Sequence, residues 1–227
     1  MIKSLLHLFF PEVCLGCKST LLASEDTICT ICRHQIPLTN HVLNQDNEAF
    51  NKFYGKIPVE FVATLCYYHK RGVVQELIHG LKYKGHESVG SVFGNWMAED
   101  LKPVSKTHNF GIIVPVPLHK KRLKERGYNQ VTAFATAIAN ELDIPCNENI
   151  LKRNLYSKSQ VNKNLLNRID VKESLFAAVF DETFHNTHFL LVDDVLTTGA
   201  TLEACSRALL KIPGAKISVV CIAMSHS

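Results

Sequence analysis

Residues 189–201 read Phe-Leu-Leu-Val-Asp-Asp-Val-Leu-Thr-Thr-Gly-Ala-Thr, and apolar residues at helical spacing follow from Leu202 to Leu210. An unbroken run of β-formers is the pattern of a strand buried on both faces, which belongs to a parallel sheet covered by helices. The strand therefore delivers two carboxylates and a short turn to the start of a helix. Unpaired N–H groups and the helix dipole favour an anion there. Gly199 and Ala200 leave room for close backbone approach, and Thr197, Thr198 and Thr201 add hydroxyl donors. Asp193 and Asp194 stand one step earlier, where carboxylates accept hydrogen bonds from a sugar diol. The pattern calls for a ligand that carries a phosphate and a ribose together. A Walker A loop is excluded because the Lys-Ser/Thr ending is missing, and a dinucleotide fingerprint because GxGxxG is missing. The plainer alternative is a buried strand followed by a well-capped helix.

The rest of the chain repeats the alternation of strand and helix. Phe61 to Tyr68, Gly111 to Pro117 and Lys216 to Ala223 read as strands, and Leu175 to Val179 as a shorter one. Val73 to Leu81, Val92 to Leu101 and Val131 to Leu142 carry helical stripes, with Pro145 after the last. These runs predict an α/β fold: a parallel sheet flanked by helices, with ligands bound outside the carboxyl ends of the strands. At 227 residues there is enough chain for one substantial core plus a small module. We expect a cysteine module over 1–36, a polar connector over 37–58 and the α/β domain over 59–227.

Apolar residues make up 46% and charged residues 20%, as in a soluble globular protein; a net charge of +4 is too mild to argue for nucleic acid by itself. No apolar stretch reaches the roughly 18 residues of a membrane span. The opening Met1 to Pro11 is short for a signal sequence, has no small-residue cleavage site and runs into the first cysteine pair, so it reads as an amphipathic lead-in helix. The expected location is cytoplasmic.

Cys14-x-x-Cys17 and Cys29-x-x-Cys32 are separated by eleven residues. Two such knuckles suit tetrahedral thiolate coordination of Zn²⁺, and a shell of four thiolates leaves no open position for chemistry. That makes the expected zinc structural; redox pairs or disulfides are the competing reading. Cys66, Cys146, Cys205 and Cys221 stand singly in apolar surroundings and read as core thiols.

The densest basic stretch, His119 to Gln130, begins at the carboxyl end of the second strand. A charge run is ordinarily a solvated face, but opposite a phosphate turn it would meet a second, pyrophosphate-sized anion. Arg126, followed by Gly127, would close over the ligand as a lid, with Asn129 and Gln130 as neutral donors. Lys82 and Lys84 end the first helix of the domain, where cations also satisfy the helix dipole. A DNA backbone would suit the same patch, although Tyr128 is the one aromatic inside the run.

The run from Phe189 to Thr201 resembles the signature by which type I phosphoribosyltransferases bind 5-phosphoribosyl 1-pyrophosphate (PRPP). Five further features stand in the order seen in the ComF family: the cysteine knuckles, Leu81 to Gly85, Pro115 to Leu118, Arg126 to Gln130, and Arg153 to Gln160. The resemblance covers nearly the whole chain. Two departures are Ser157, where the family tends to have Thr, and Val171, where it tends to have Asn. The resemblance implies a type I phosphoribosyltransferase-like domain with an N-terminal zinc module, and a link to DNA uptake in competent bacteria. It implies PRPP or a phosphoribosyl nucleotide as ligand, Mg²⁺ arriving with it, and catalytic roles for Asp193, Asp194 and Arg126. Lys82, Lys84, Asn129, Gln130 and the turn Thr197 to Thr201 would bind PRPP. Two other classes of function stay open: a non-catalytic module that senses PRPP or binds single-stranded DNA, and a zinc-ribbon adaptor for proteins of the competence machinery.

Overall fold

The computed structural model describes residues 11–153 and 175–225. The expected lead-in helix over Met1 to Pro11 lies, but for Pro11, outside these residues, as do Ser157, Gln160, Arg168 and Val171. In chain order the elements are α1 (Thr30–Gln35), α2 (Glu48–Asn51), β1 (Phe61–Tyr68), α3 (Val73–Tyr83), α4 (Glu87–His108), β2 (Ile112–Pro115), α5 (Lys120–Arg126) and α6 (Thr132–Leu142). Then follow β3 (Leu151–Arg153), β4 (Phe176–Ala178), β5 (His188–Leu196), α7 (Ala200–Leu209) and β6 (Lys216–Ser225).

Four strands form one parallel sheet in the order β1-β6-β5-β2. Each is apolar nearly throughout because each is covered on both sides. Successive residues of β5 divide between the faces. Leu190 and Val192 pack with Leu81, Phe93, Phe134 and Ile138 of α3, α4 and α6. Phe189 and Leu191 pack with Leu202, Cys205 and Leu209 of α7. Helix α4 comes close to α6 because Gly90 and Gly94 have no side chains. A Cβ at Gly94 would lie 2.6 Å from both the Phe134 carbonyl and Ala137. This contact fixes α6, whose leading residues, Asn129 and Gln130, reach the carboxyl edge of the sheet.

The expected strand over Leu175 to Val179 exists as β4, but it pairs antiparallel with β3, apart from the main sheet. The basic stretch is largely helical: Lys120–Arg126 form α5, none of it buried, and Gly127 at φ 81° closes it. Residues 37–58 are polar by composition, yet Ala49, Phe53 and Ile57 enter the core on the α7 side. Leu38 bridges Cys66, and the Tyr67 N–H donates to the Pro37 carbonyl at 2.8 Å, so this segment lines the free edge of β1. The cysteine module also shares the core: Cys14, Cys32 and Ile36 belong to the same cluster as Val74 and Leu77 of α3. Among the described residues, no helix is long and apolar enough to cross a membrane.

Candidate functional site

Strand β5 ends at Leu196, and Thr197 and Thr198 emerge exposed beyond it. Gly199, at φ 79°, is the N-cap of α7, and no side chain caps the helix. Two constraints select glycine here. The positive φ disfavours any side chain, and a Cβ would lie 3.3 Å from the ring of Phe53. Ala200 and Thr201 are exposed in the first turn, so the open turn anticipated from sequence is present, backed by an aromatic from the connector. The helix behind it is tied down by Arg207, which pairs with Glu203 at 3.1 Å and donates to the Lys56 carbonyl at 2.8 Å.

The pleat sends the two acids to opposite faces. Asp194 continues the series Leu190, Val192 toward α3 and α6, where its Oδ2 accepts from Gln130 Nε2 at 2.8 Å and lies 3.1 Å from Lys82 Nζ. Asp193 continues the series Phe189, Leu191 and stands opposite Cys221 in the register. Burial, reinforced by the neighbouring Asp194 charge, pushes its carboxyl up to about 8; Lys82 and Arg153 act against that shift. Arg153, on β3 and stacked 5.3 Å from the centre of the Phe176 ring, thus brings the small antiparallel sheet into electrostatic reach of Asp193.

From Asp194 the polar contacts continue outward. Gln130, buried, uses both ends of its amide: it donates to Asp194 and accepts from Arg126 Nη1 at 2.7 Å. The Arg126 guanidinium in turn lies 4.9 Å over the ring of Tyr83. Lys82, Arg126, Asp194 and Gln130 therefore form one connected network, although they come from three separate stretches of chain. Asn129 sits beside it but donates to the Val116 carbonyl at 3.1 Å, fastening the segment to the end of β2. Lys84 is the exposed C-cap of α3 and lines neither of the cavities described next.

Two concavities flank Lys82 and Tyr83. One, about 430 Å³, is cationic, with Arg122 and Arg126 on its wall. The other, about 540 Å³, reaches Asp194 and Thr197 and is walled by Tyr68, His79 and the end of β6 at Ser225. Tyr68, Gln75, His79, Tyr83 and Ser225 escaped the sequence reading. For Tyr83 a signal existed, an aromatic between Lys82 and Lys84; the ring that accompanies the basic stretch is this one, 64% exposed, as well as Tyr128.

At the other end of the chain, the sulfurs of Cys14, Cys17, Cys29 and Cys32 lie within 4.8 Å of one another. Bonds of about 2.3 Å around a tetrahedral Zn²⁺ place sulfurs about 3.8 Å apart. The Cys17–Cys29 separation is 3.7 Å. Hydrogen bonds from Ser19 lower the Cys17 thiol to about 6, whereas burial and the neighbouring thiols push Cys32 up. Cys14 and Cys17 are lowered while Cys29 and Cys32 are raised, a donor set that a divalent cation resolves, so the residues fit a structural zinc.

No family model matches the chain. It is 27% identical over 221 residues to Competence protein F of Haemophilus influenzae, covering 93% of this chain and 96% of that one. It is 26% identical over 204 residues to Competence protein ComFC of Bacillus subtilis, covering 88% and 78%. Over nearly its whole length the chain is thus similar to the competence proteins F and ComFC. Among solved structures, a purine phosphoribosyltransferase from Pyrococcus horikoshii overlaps the chain with a TM-score of 0.40 at 19% identity, over 60% of this chain and 73% of that one.

Proposed function

We propose that this protein binds PRPP at the carboxyl edge of its sheet and transfers the phosphoribosyl group to an acceptor, releasing pyrophosphate. The observation that carries this reading is the network from Asp194 through Gln130 to Arg126. It links a carboxylate suited to ribose hydroxyls with cations suited to pyrophosphate. In this reading the turn Thr197 to Thr201 holds the 5-phosphate on the open start of α7. Asp193 and Asp194 accept from the ribose hydroxyls. The C1–O bond breaks with its electron pair leaving on pyrophosphate, and the acceptor's lone pair forms the new bond to C1. The transition state is oxocarbenium-like, and positioning with charge neutralisation supplies its stabilisation.

Arg126 and Lys82 offset the charge that develops on pyrophosphate. Lys82, 3.1 Å from Asp194, lies on the walls of both cavities and so can face the leaving group while it stays beside the acid. Mg²⁺ would arrive on the ligand, held by pyrophosphate and ribose oxygens with bound water, and would add neutralising charge. The free thiols of the described residues support a cytoplasmic setting.

Calorimetric titration of PRPP with Mg²⁺ tests the site. Asp193→Asn combined with Asp194→Asn should abolish binding while circular dichroism shows a folded protein; unchanged affinity would refute the assignment.

A second reading is favoured by one observation, the exposed Tyr83 ring beneath Arg126. Single-stranded nucleic acid is held by such an aromatic beside cations. The names of the relatives support a role in competence, with single-stranded DNA or uptake proteins as partners. Fluorescence titration with labelled single-stranded DNA, with and without PRPP, separates the two: displacement by PRPP means one shared site.

A further inference from the structure

We propose that the 540 Å³ cavity between α3 and the end of β6 is the acceptor site, and that it takes a planar aromatic ring bearing a negatively charged group. This rests on the phosphoribosyl reading above and names what attacks C1.

The position comes first. The cavity reaches Asp194 and Thr197, the residues flanking a bound ribose, while the cationic cavity lies across the wall made by Lys82 and Tyr83. In-line displacement needs the nucleophile and the leaving group on different sides of C1. With pyrophosphate drawn to Arg122 and Arg126, the other cavity is where an acceptor approaches.

Size and lining define the class. A volume of this order falls within the roughly 300–1,000 Å³ of small-molecule sites. Tyr68, His79 and Tyr83 offer ring faces; His79 and Tyr83 already stand 5.0 Å apart between centroids. Ile78 and Val195 add apolar surface, and Gln75 and Ser225 add hydrogen-bonding groups for the ring edge. The charge balance supplies the rest. Of the three charged side chains on this wall, Lys82 and Asp194 neutralise each other at 3.1 Å, leaving the ammonium of Lys70 unbalanced. A neutral ring would gain nothing from Lys70, whereas a ring with an anionic substituent would. The same chemistry also describes a base in a DNA strand, whose phosphate supplies the charge. For a ring nitrogen as nucleophile, its lone pair forms the C1–N bond as the C1–O bond breaks. The departing pyrophosphate takes the bonding pair and, where the nitrogen bore one, the proton.

Uracil-6-carboxylate, uracil and a (dT)12 strand, each titrated with and without PRPP and Mg²⁺, provide the test. The expected result is at least tenfold tighter binding of the carboxylate than of uracil. Lys70→Glu should remove that preference and Lys70→Arg should retain it, with PRPP affinity unchanged in both. Equal binding of carboxylate and uracil, or a preference that survives Lys70→Glu, overturns the proposal. Tight (dT)12 binding that falls with Lys70→Glu and competes with the carboxylate supports it and assigns the anion to a strand phosphate. If PRPP itself does not bind, the phosphoribosyl reading fails. The Lys70-dependent preference for the carboxylate, measured without PRPP, still reports on the cavity alone.

Discussion

Replacing Asp193 with asparagine should make the protein more stable at neutral pH and remove a stability loss that the native chain suffers as pH rises. In the folded state the Asp193 carboxyl is raised from its ordinary 3.8 to about 8, by burial first and by the Asp194 charge second. Between those values the native chain holds a proton that the unfolded chain has released. Stability is then complete below pH 4 and falls with rising pH, by about 1.4 kcal/mol per unit. From pH 5.5 to 7.5 the loss is about 3 kcal/mol, a large share of the few kcal/mol that hold a typical domain folded. Buried histidines work the other way. Desolvation lowers His188 and His41, so they favour folding as pH rises through their ordinary range. They are common to both proteins and cancel in the comparison. Urea unfolding followed by circular dichroism at pH 5.5, 6.5 and 7.5 reads the difference. The expected gap between variant and native protein widens by about 3 kcal/mol across that range. A constant gap would show that the Asp193 carboxyl is not held protonated in the folded chain.

Two further perturbations test the turn and the metal site. Gly199→Ala should destabilise the protein by about 1–2 kcal/mol, because alanine disfavours the left-handed backbone and its methyl presses on Phe53; an unchanged urea midpoint would refute this. Stripping metal with a chelator should release one zinc per chain, measured by mass spectrometry, and lower the melting temperature. Release of no zinc, or no thermal shift, would refute a structural site that shares its core with α3.

Much of the fold was legible because both faces of the sheet are covered. Continuous apolar runs therefore marked β1, β5 and β6 without ambiguity, and the stripes of α3, α4 and α6 stood out against polar neighbours. The reading weakened where side chains carry no periodic burial. Helix α5 buries nothing, so its seven residues looked like a charged lid, and β3 and β4, three residues each, are too short to show alternation. Phe53 was hidden in a segment polar by average, although its ring is what a side chain at position 199 would meet.

The candidate site shows a sharper limit. Side by side in sequence, Asp193 and Asp194 invite one shared role, but the two-residue period of a strand gives them different surroundings. Asp194 meets a lysine and an amide, and remains a partner for cations. Asp193 meets core thiols and the fringe of the small sheet, and its proton is held well into the neutral range. The alternation was available from sequence once both faces were known to be buried. Which acid would be the neutralised one was not, because Lys82, Gln130 and Arg153 are each brought there by chain folding rather than by proximity in sequence. One acid is thereby fixed in a cation network by Lys82 and Gln130, while the other, raised by its surroundings, is the acid whose charge follows pH near neutrality.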